Sequence, residues 1–405
     1  MCNGTIMDKL ISFSIPLMLS GILQLMFNAV DIVVVGRFSG SQALAAVGST
    51  TALINVFTNL FIGISLGANV LAARYYAAGK TKEMSETVHT AIALALVSGV
   101  AMAVIGVVFA RGALEIMGTP DDVIAKSTLY MRIYFCGMPF FMMYNYGAAI
   151  LRAVGDTKRP LIFLIVSGVI NAVLNLFLVI GFHLDVAGVG IATVISQLVS
   201  CILVLRCLHH TESSYQLHLA KLRIRSVYLK QIFEVGVPAG IQSTVINISN
   251  AMLQSSVNSF GSIAMAGYTA SNNIFGFLYV SVNSFTQACM SFTSQNYGVK
   301  KLKRMDRVLI DCMILSVVVT LILGSSVYIF GPELLHIYSN QADVIKYGME
   351  IFSYTTVTYF LCGLMDLFPG ALRGMGYSTV PMILSIIGTV GVRIIWIYGL
   401  FPSHR

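Results

Sequence analysis

The sequence predicts an all-α, polytopic membrane protein made of two pseudo-symmetric helical lobes. Three observations carry that reading. Of 405 residues, 57% are hydrophobic and 10% charged, against roughly 25% charged in a soluble domain. Apolar runs of the length that crosses ~30 Å of hydrocarbon recur along the chain with short breaks. The chain also repeats itself: slid by 221 residues, LRAVGDTKRP at 151–160 falls on LRGMGYSTVP at 372–381.

Eleven spans are expected, at 10–35, 53–76, 90–110, 128–150, 161–180, 186–208, 229–259, 267–297, 308–330, 345–372 and 380–400. The segment before the first carries Asp8 and Lys9 and no small-residue cleavage site, so that run is expected to be a retained span. If the N-terminus is cytoplasmic, eighteen basic residues, among them Lys80, Arg152, Lys301 and Arg304, fall on the inner side. Five fall outside (Arg37, Arg111, Lys126, Lys346 and Arg405), and Arg132 and Arg393 lie within spans. That asymmetry predicts a cytoplasmic N-terminus in a bacterial inner membrane. It also accounts for the net charge of +8 without a nucleic-acid partner.

The 221-residue offset holds from Ser41 onward, with Tyr76-Ala77 on Tyr297-Gly298, and upstream, with one gap, Ile15-Pro16 falls on Val237-Pro238. It divides the chain into an N-terminal six-helix lobe at 1–208, a linker at 209–228 and a C-terminal lobe at 229–405. An even number of helices per half makes the repeat parallel, about an axis along the membrane normal. Five helices of an expected six fall in the second lobe. The partner of the sixth helix would begin near 407, so a twelfth helix is expected to be missing.

The first span holds a carboxylate, Asp31, within IPLMLSGILQLMFNAVDIVVVGR. A charge in such a run is costly in lipid and by default faces a protein interior or a wet cavity. Pro16, fifteen residues earlier, removes a helical hydrogen bond and is the candidate hinge. Asn171 and Asn175, four apart, share a face of the fifth span.

With Asp31-Ile-Val-Val-Val-Gly-Arg37, the doubled Leu-Arg-x-x-Gly at 151 and 372, and DVAGVGIATVISQ at 185–197, the chain resembles the multidrug and toxic compound extrusion (MATE) transporters, of the bacterial DinF-like type. The resemblance covers nearly the whole chain. It implies a secondary antiporter that exports amphiphilic, often cationic compounds by alternating access, with a proton or sodium ion coupled through the N-terminal lobe. Matched by motif, the coupling carboxylate is Asp31, the bending proline is Pro16, and the surrounding polar cluster is Asn145, Asn171, Asn175 and Thr193. Amide oxygens beside a carboxylate suit a hard cation or a protonating carboxyl, so Asp31, Asn171 and Asn175 form a candidate sodium site. Asn175 departs from the family pattern, which more often has Asp there, and one carboxylate in place of two favours proton coupling.

The seventh span begins at Pro238 and carries Gln242, Ser243, Asn247, Asn250, Gln254 and Asn258, and the eighth adds Asn272, Asn273, Asn283 and Gln287. Gln242, Asn247, Asn250 and Asn272 are the candidate polar lining of a cavity. Asp366, seven residues before Arg373, is a candidate second acidic site, with Arg393 a possible partner ~10 Å away along the membrane normal. Most of the 20 methionines and 42 aromatics fill helix packing. Met26, Phe27, Phe61, Met138, Phe141, Met142, Phe275 and Tyr279 are candidates for an adaptable, cation-binding cavity wall.

Seven cysteines without a C-x-x-C indicate neither a disulfide framework nor zinc. All seven histidines, His404 included, lie near span ends or in loops. Phosphate loops and a G-x-S-x-G elbow are absent, which disfavours an ATP-driven pump or a hydrolase. The chain is therefore expected to be no enzyme and to need no cofactor beyond its coupling ion. Its partners are expected to be a small-molecule substrate and the lipid bilayer, with the protein a monomer. A lipid-linked saccharide flippase of the same superfamily is the alternative, argued against by only two intramembrane arginines. A truncated, inactive transporter is the other.

Overall fold

The computed structural model describes residues 1–258 and 260–400, and among them every regular element is helical. Ser259, His404, Arg405 and the side chain of Asn258 lie outside the described residues. In lipid a chain must satisfy its backbone groups internally, and this composition does so with helices.

In order, the helices are α1 (Met7–Phe38), α2 (Ser41–Ala77), α3 (Thr81–Ile116), α4 (Asp121–Cys136), α5 (Met138–Ala153) and α6 (Lys158–Leu176), which runs into a π-helical turn, Phe177–Gly181. Then come α7 (Asp185–His210), α8 (Ser226–Asn258), α9 (Ser262–Gly298), α10 (Leu302–Ile329), the short α11 (Gly331–His336), α12 (Ala342–Thr358) and α13 (Phe360–Gly374). The chain finishes through α14 (Thr379–Ser385) and α15 (Val392–Ile395), each followed by a π-helical turn.

By length and apolar composition, six described helices qualify as membrane spans, and α12 with α13, bent by 47°, forms a seventh as a pair. Each of the eleven expected segments is helical over most of its described residues, yet several fall outside that count for physical reasons. The expected span at 128–150 is two helices, because Pro139 opens α5 just after Gly137. The polar residues of α8 and α9 lower their hydropathy.

The internal repeat is written into the turns. Left-handed backbone occurs at Gly40 and Gly261, at Gly79 and Lys300, and at Gly155 and Gly376, each pair 221 residues apart. The doubled Leu-Arg-x-x-Gly ends α5 and α13 with the same C-cap. Gly155 N–H donates to Arg152 O and Asp156 N–H to Leu151 O, as Gly376 does to Arg373 O and Tyr377 to Leu372 O. Glycine is used there because φ is +99° and +98°, a region costly for a side chain.

Packing forms two compact units, Leu19–Gly240 and Met1–Met18 with Ile241–Arg405. These bounds differ from the division at 208 and 229 that the repeat suggests. The start of α1 and the start of α8 each pack in the unit opposite to their own repeat, and each change of unit falls two residues after a proline, Pro16 or Pro238.

The core of the first unit is built by α3, α4 and α5, with Met84, Ile92, Phe135, Met138, Met142 and Tyr146 fully buried. Met138 and Met142 are thus packing residues and not cavity wall. The linker at 209–228 is no loose tether: Leu217 is buried, Arg223 and Arg225 pair with Glu86 of α3, and His218 donates its backbone N–H to Nε2 of buried His89 at 3.1 Å.

In the second unit, Leu10, Phe13 and Leu17 of α1 pack with Phe285 and Phe292 of α9. A further cluster joins Phe275, Leu335 and Phe352. Phe275 is buried there, stacked on Tyr359 at 5.4 Å. It too belongs to the core.

Candidate functional site

The site in the first unit is assembled by α1 and α6. Phe27 lies one turn before Asp31 on α1, and Gly168 lies one turn before Asn171 on α6. A β-carbon built on Gly168 would overlap the Phe27 ring. The glycine is therefore a notch that lets α1 dock closely, and it brings the next turn of α1, with Asp31, against Asn175.

Asn175 is fully buried, Asn171 nearly so, and Asp31 half-buried. The Asn175 side-chain amide donates to Asp31 Oδ1, and also to Asn171 Oδ1 at 3.1 Å. Flipping that amide would turn its oxygen onto two other oxygens, so the network fixes its orientation. With the nitrogen so engaged, Asn175 Oδ1 is left buried without a hydrogen-bond partner. A buried acceptor of this kind beside a carboxylate has the chemistry to meet a cation or a hydrogen-bond donor.

Among the described residues no cationic side chain pairs with Asp31; its partner is Asn175. An ionised carboxylate held by one amide in low dielectric is under-compensated. Chemically, the arrangement can take up a proton on Asp31 or gather a small hard cation. The oxygens available for the cation are those of Asp31 and the amide oxygens of Asn171 and Asn175. No cluster of three or more His, Cys, Asp or Glu occurs among the described residues, so any cation there would rely on amide oxygens.

Asn145 and Thr193 behave differently. Asn145 donates to the Phe141 carbonyl at 2.8 Å and Thr193 to the Val189 carbonyl at 2.9 Å, each within its own helix. Neither makes a recorded hydrogen bond to Asp31, Asn171 or Asn175. Two tyrosines of α4 stand within electrostatic reach of Asp31: Tyr130 and Tyr134, with ring centroids 6.2 Å apart. Sequence reasoning missed both, and it missed Gly168; the available signals were Tyr130 and Tyr134 four apart on one helix, and a glycine one turn before Asn171.

In the second unit, Gln242 is buried and accepts from the Arg373 guanidinium, while Asn247, Asn250 and Asn272 are exposed. Arg393 does not serve Asp366 as an ion-pair partner. It donates instead to Asn250 Oδ1 at 2.6 Å and Ser249 Oγ at 3.3 Å. Asp366 is half-buried, with Arg373 the cation in electrostatic reach. Pro16 lies inside an unbroken α1.

Comparison with known proteins decides the family. The MatE family model matches the chain twice, over residues 16–177 and 238–398. The chain belongs to the MatE family. The two matches share the repeat seen in the turns, and MatE proteins are transporters, not enzymes. Over 389 residues the chain is 30% identical to the probable multidrug resistance protein YoeA of Bacillus subtilis, covering 94% of this chain and 84% of that protein. It is 23% identical to the multidrug export protein MepA of Staphylococcus saprophyticus, covering 98% and 89%. Among solved structures, a multidrug resistance MATE family transporter of the MOP superfamily in an outward-facing conformation superposes with a TM-score of 0.91. Identity there is 20%, over 98% of this chain and 89% of that one, so that likeness speaks for the fold. The MatE fold is all-helical, and this MatE chain is a bacterial multi-pass membrane protein.

Proposed function

We propose that this MatE protein is a secondary antiporter of the DinF-like type that exports amphiphilic, often cationic drugs or metabolites by alternating access. Protons or sodium ions enter in exchange, through the cluster of Asp31, Asn171 and Asn175. The multidrug names of the relatives support the substrate class. The single observation that carries the coupling is the under-compensated Asp31, held by Asn175 and flanked by the orphan oxygen of that same amide. Loading Asp31 with a proton or cation removes the electrostatic cost and changes its contact with α6, and Pro16 lets α1 bend in response. Asn145 and Thr193 complete the cluster in the loaded state, and Gln242, Asn247, Asn250 and Asn272 line the path. Asp366 is a secondary acidic site. The protein acts as a monomer with a cytoplasmic N-terminus, and its transport lobes are 1–208 and 229–405.

The test is transport of a fluorescent organic cation in proteoliposomes under separately imposed proton and sodium gradients, for the wild type and for Asp31→Asn. Gradient-driven transport lost in Asp31→Asn supports the reading. Transport by Asp31→Asn with unchanged pH and sodium dependence refutes the coupling role.

A further inference from the structure

The linker that leads into α8 carries apolar side chains on two faces, and the protein covers only one of them. Over 217–230 the sequence runs LHLAKLRIRSVYLK, with four Lys or Arg among the apolar residues and no Asp or Glu. Leu217 is fully buried, and Leu222, Tyr228 and Leu229 pack against the core of the first unit. Leu219, Ile224 and Val227 are left outside, 57%, 42% and 62% exposed.

Ile224 is turned outward by its neighbours. The arginines on either side of it both pair with Glu86 of α3, Arg225 through Nε at 3.3 Å. The backbone there is tied to Thr90, whose Oγ1 accepts from Arg225 N–H at 3.3 Å and donates to the Arg223 carbonyl at 3.5 Å. In extended chain, two neighbours that both point at α3 leave the residue between them pointing away. The same contacts set its depth. Helix α3 has no Asp, Glu, Lys or Arg between Glu86 and Arg111, and its apolar run opens at Ala91. Thr90 therefore stands level with the edge of the hydrocarbon, and Ile224 is held beside it. At that depth an exposed apolar side chain between cations fits the interface, with its alkyl part among acyl chains and the charges among headgroup phosphates. Glu86 offers one negative charge to two arginines, and Lys221 and Lys230 make no ion pair among the described residues. The segment keeps a positive charge that the protein does not balance.

We propose that the linker edge formed by Leu219, Lys221, Ile224, Val227 and Lys230 is a docking surface for anionic phospholipid in the leaflet beside it. The three apolar side chains enter the acyl region and the two lysines meet headgroup phosphates. The surface serves whichever substrate and coupling ion the protein uses.

The experiment uses the full chain in proteoliposomes, with Trp396, its one tryptophan, replaced by Phe and a fluorescent reporter placed in the linker as Ile224→Trp. Leu219→Trp is a second reporter, so that poor folding of one variant leaves the other to be read. The vesicles contain phosphatidylcholine and phosphatidylglycerol at about three to one, an anionic surface. An equal mole fraction of one lipid or the other carries bromine near the headgroup end of its acyl chains, where it quenches a tryptophan only on contact. Brominated phosphatidylglycerol is expected to quench the reporter about twofold more than brominated phosphatidylcholine. Lys221→Gln with Lys230→Gln is expected to bring the two lipids to equality. A reporter that neither lipid quenches, and that aqueous iodide quenches fully, overturns the docking. Equal quenching by the two lipids with both lysines present overturns the preference for an anionic headgroup.

Discussion

Asp31 and Asp366 are carboxylates on apolar helices, one in each repeat, and their surroundings differ in kind. Asp31 is met by an amide, with a second amide beside it, and no cation pairs with it among the described residues. Asp366 has the Arg373 guanidinium in electrostatic reach within its own unit. A carboxylate with a counter-charge supplied by the protein has little need of an ion from outside. One without must obtain it from the solution or stay protonated, since an unpaired buried charge carries a penalty of several kcal/mol. The arrangement at Asp366 suits structure and that at Asp31 suits coupling, which is the division of work that the proposed function gives the two halves.

Several substitutions break or sharpen that contrast. Asp31→Asn has the largest expected effect: gradient-driven export falls at least tenfold, measured as fluorescent-cation flux in proteoliposomes. Gly168→Leu is next. A side chain there has no room beside Phe27, so α1 is pushed off α6 and export falls about fivefold or more, with Asp31 itself intact. Gly168→Ala is expected to be milder, and the graded series separates docking from chemistry. Asn175→Asp places a second carboxylate beside the first, and two adjacent carboxylates bind a cation more strongly than one. Transport is then expected to gain a sodium dependence of several-fold, read as flux against sodium concentration at fixed pH. Asp366→Asn is expected to lower flux less than threefold and to leave its pH and sodium dependence unchanged. Asn145→Ala and Thr193→Ala test whether the two residues join the cluster in the loaded state. If they do, each shifts the half-saturating ion concentration about twofold, with little change at saturating ion.

The fold is largely legible in the sequence because hydropathy and the 221-residue repeat are signals that tertiary packing does not erase. The left-handed turns at Gly40, Gly155 and their partners fall where the repeat places them. What is not legible follows from contacts between helices. The span at 128–150 reads as continuous by hydropathy, although Gly137 and Pro139 divide it. Met138, Met142 and Phe275 are as apolar as a cavity wall, and only packing shows them to be core. The linker reads as a polar connection, yet Glu86, 137 residues before Arg223, pins it through Arg223 and Arg225. At the candidate site, the face shared by Asn171 and Asn175 follows from their spacing, while the meeting of Asn175 with Asp31 depends on the fit of Phe27 to Gly168. The resemblance to MATE transporters, and not periodicity, is what nominates Asn145 and Thr193 for the cluster, and in the structure each bonds within its own helix. The exchange of α1 and α8 between packing units has its sequence trace in the two prolines.

The central claim is that the coupling ion enters through Asp31. The direct measurement is the ion movement inside proteoliposomes, followed with a lumenal pH dye and a sodium dye as substrate is added, for wild type, Asp31→Asn and Asp366→Asn. A substrate-dependent ion flux in wild type and Asp366→Asn, absent in Asp31→Asn although the variant still binds substrate, is the expected result. A flux that persists in Asp31→Asn and disappears in Asp366→Asn would contradict the account.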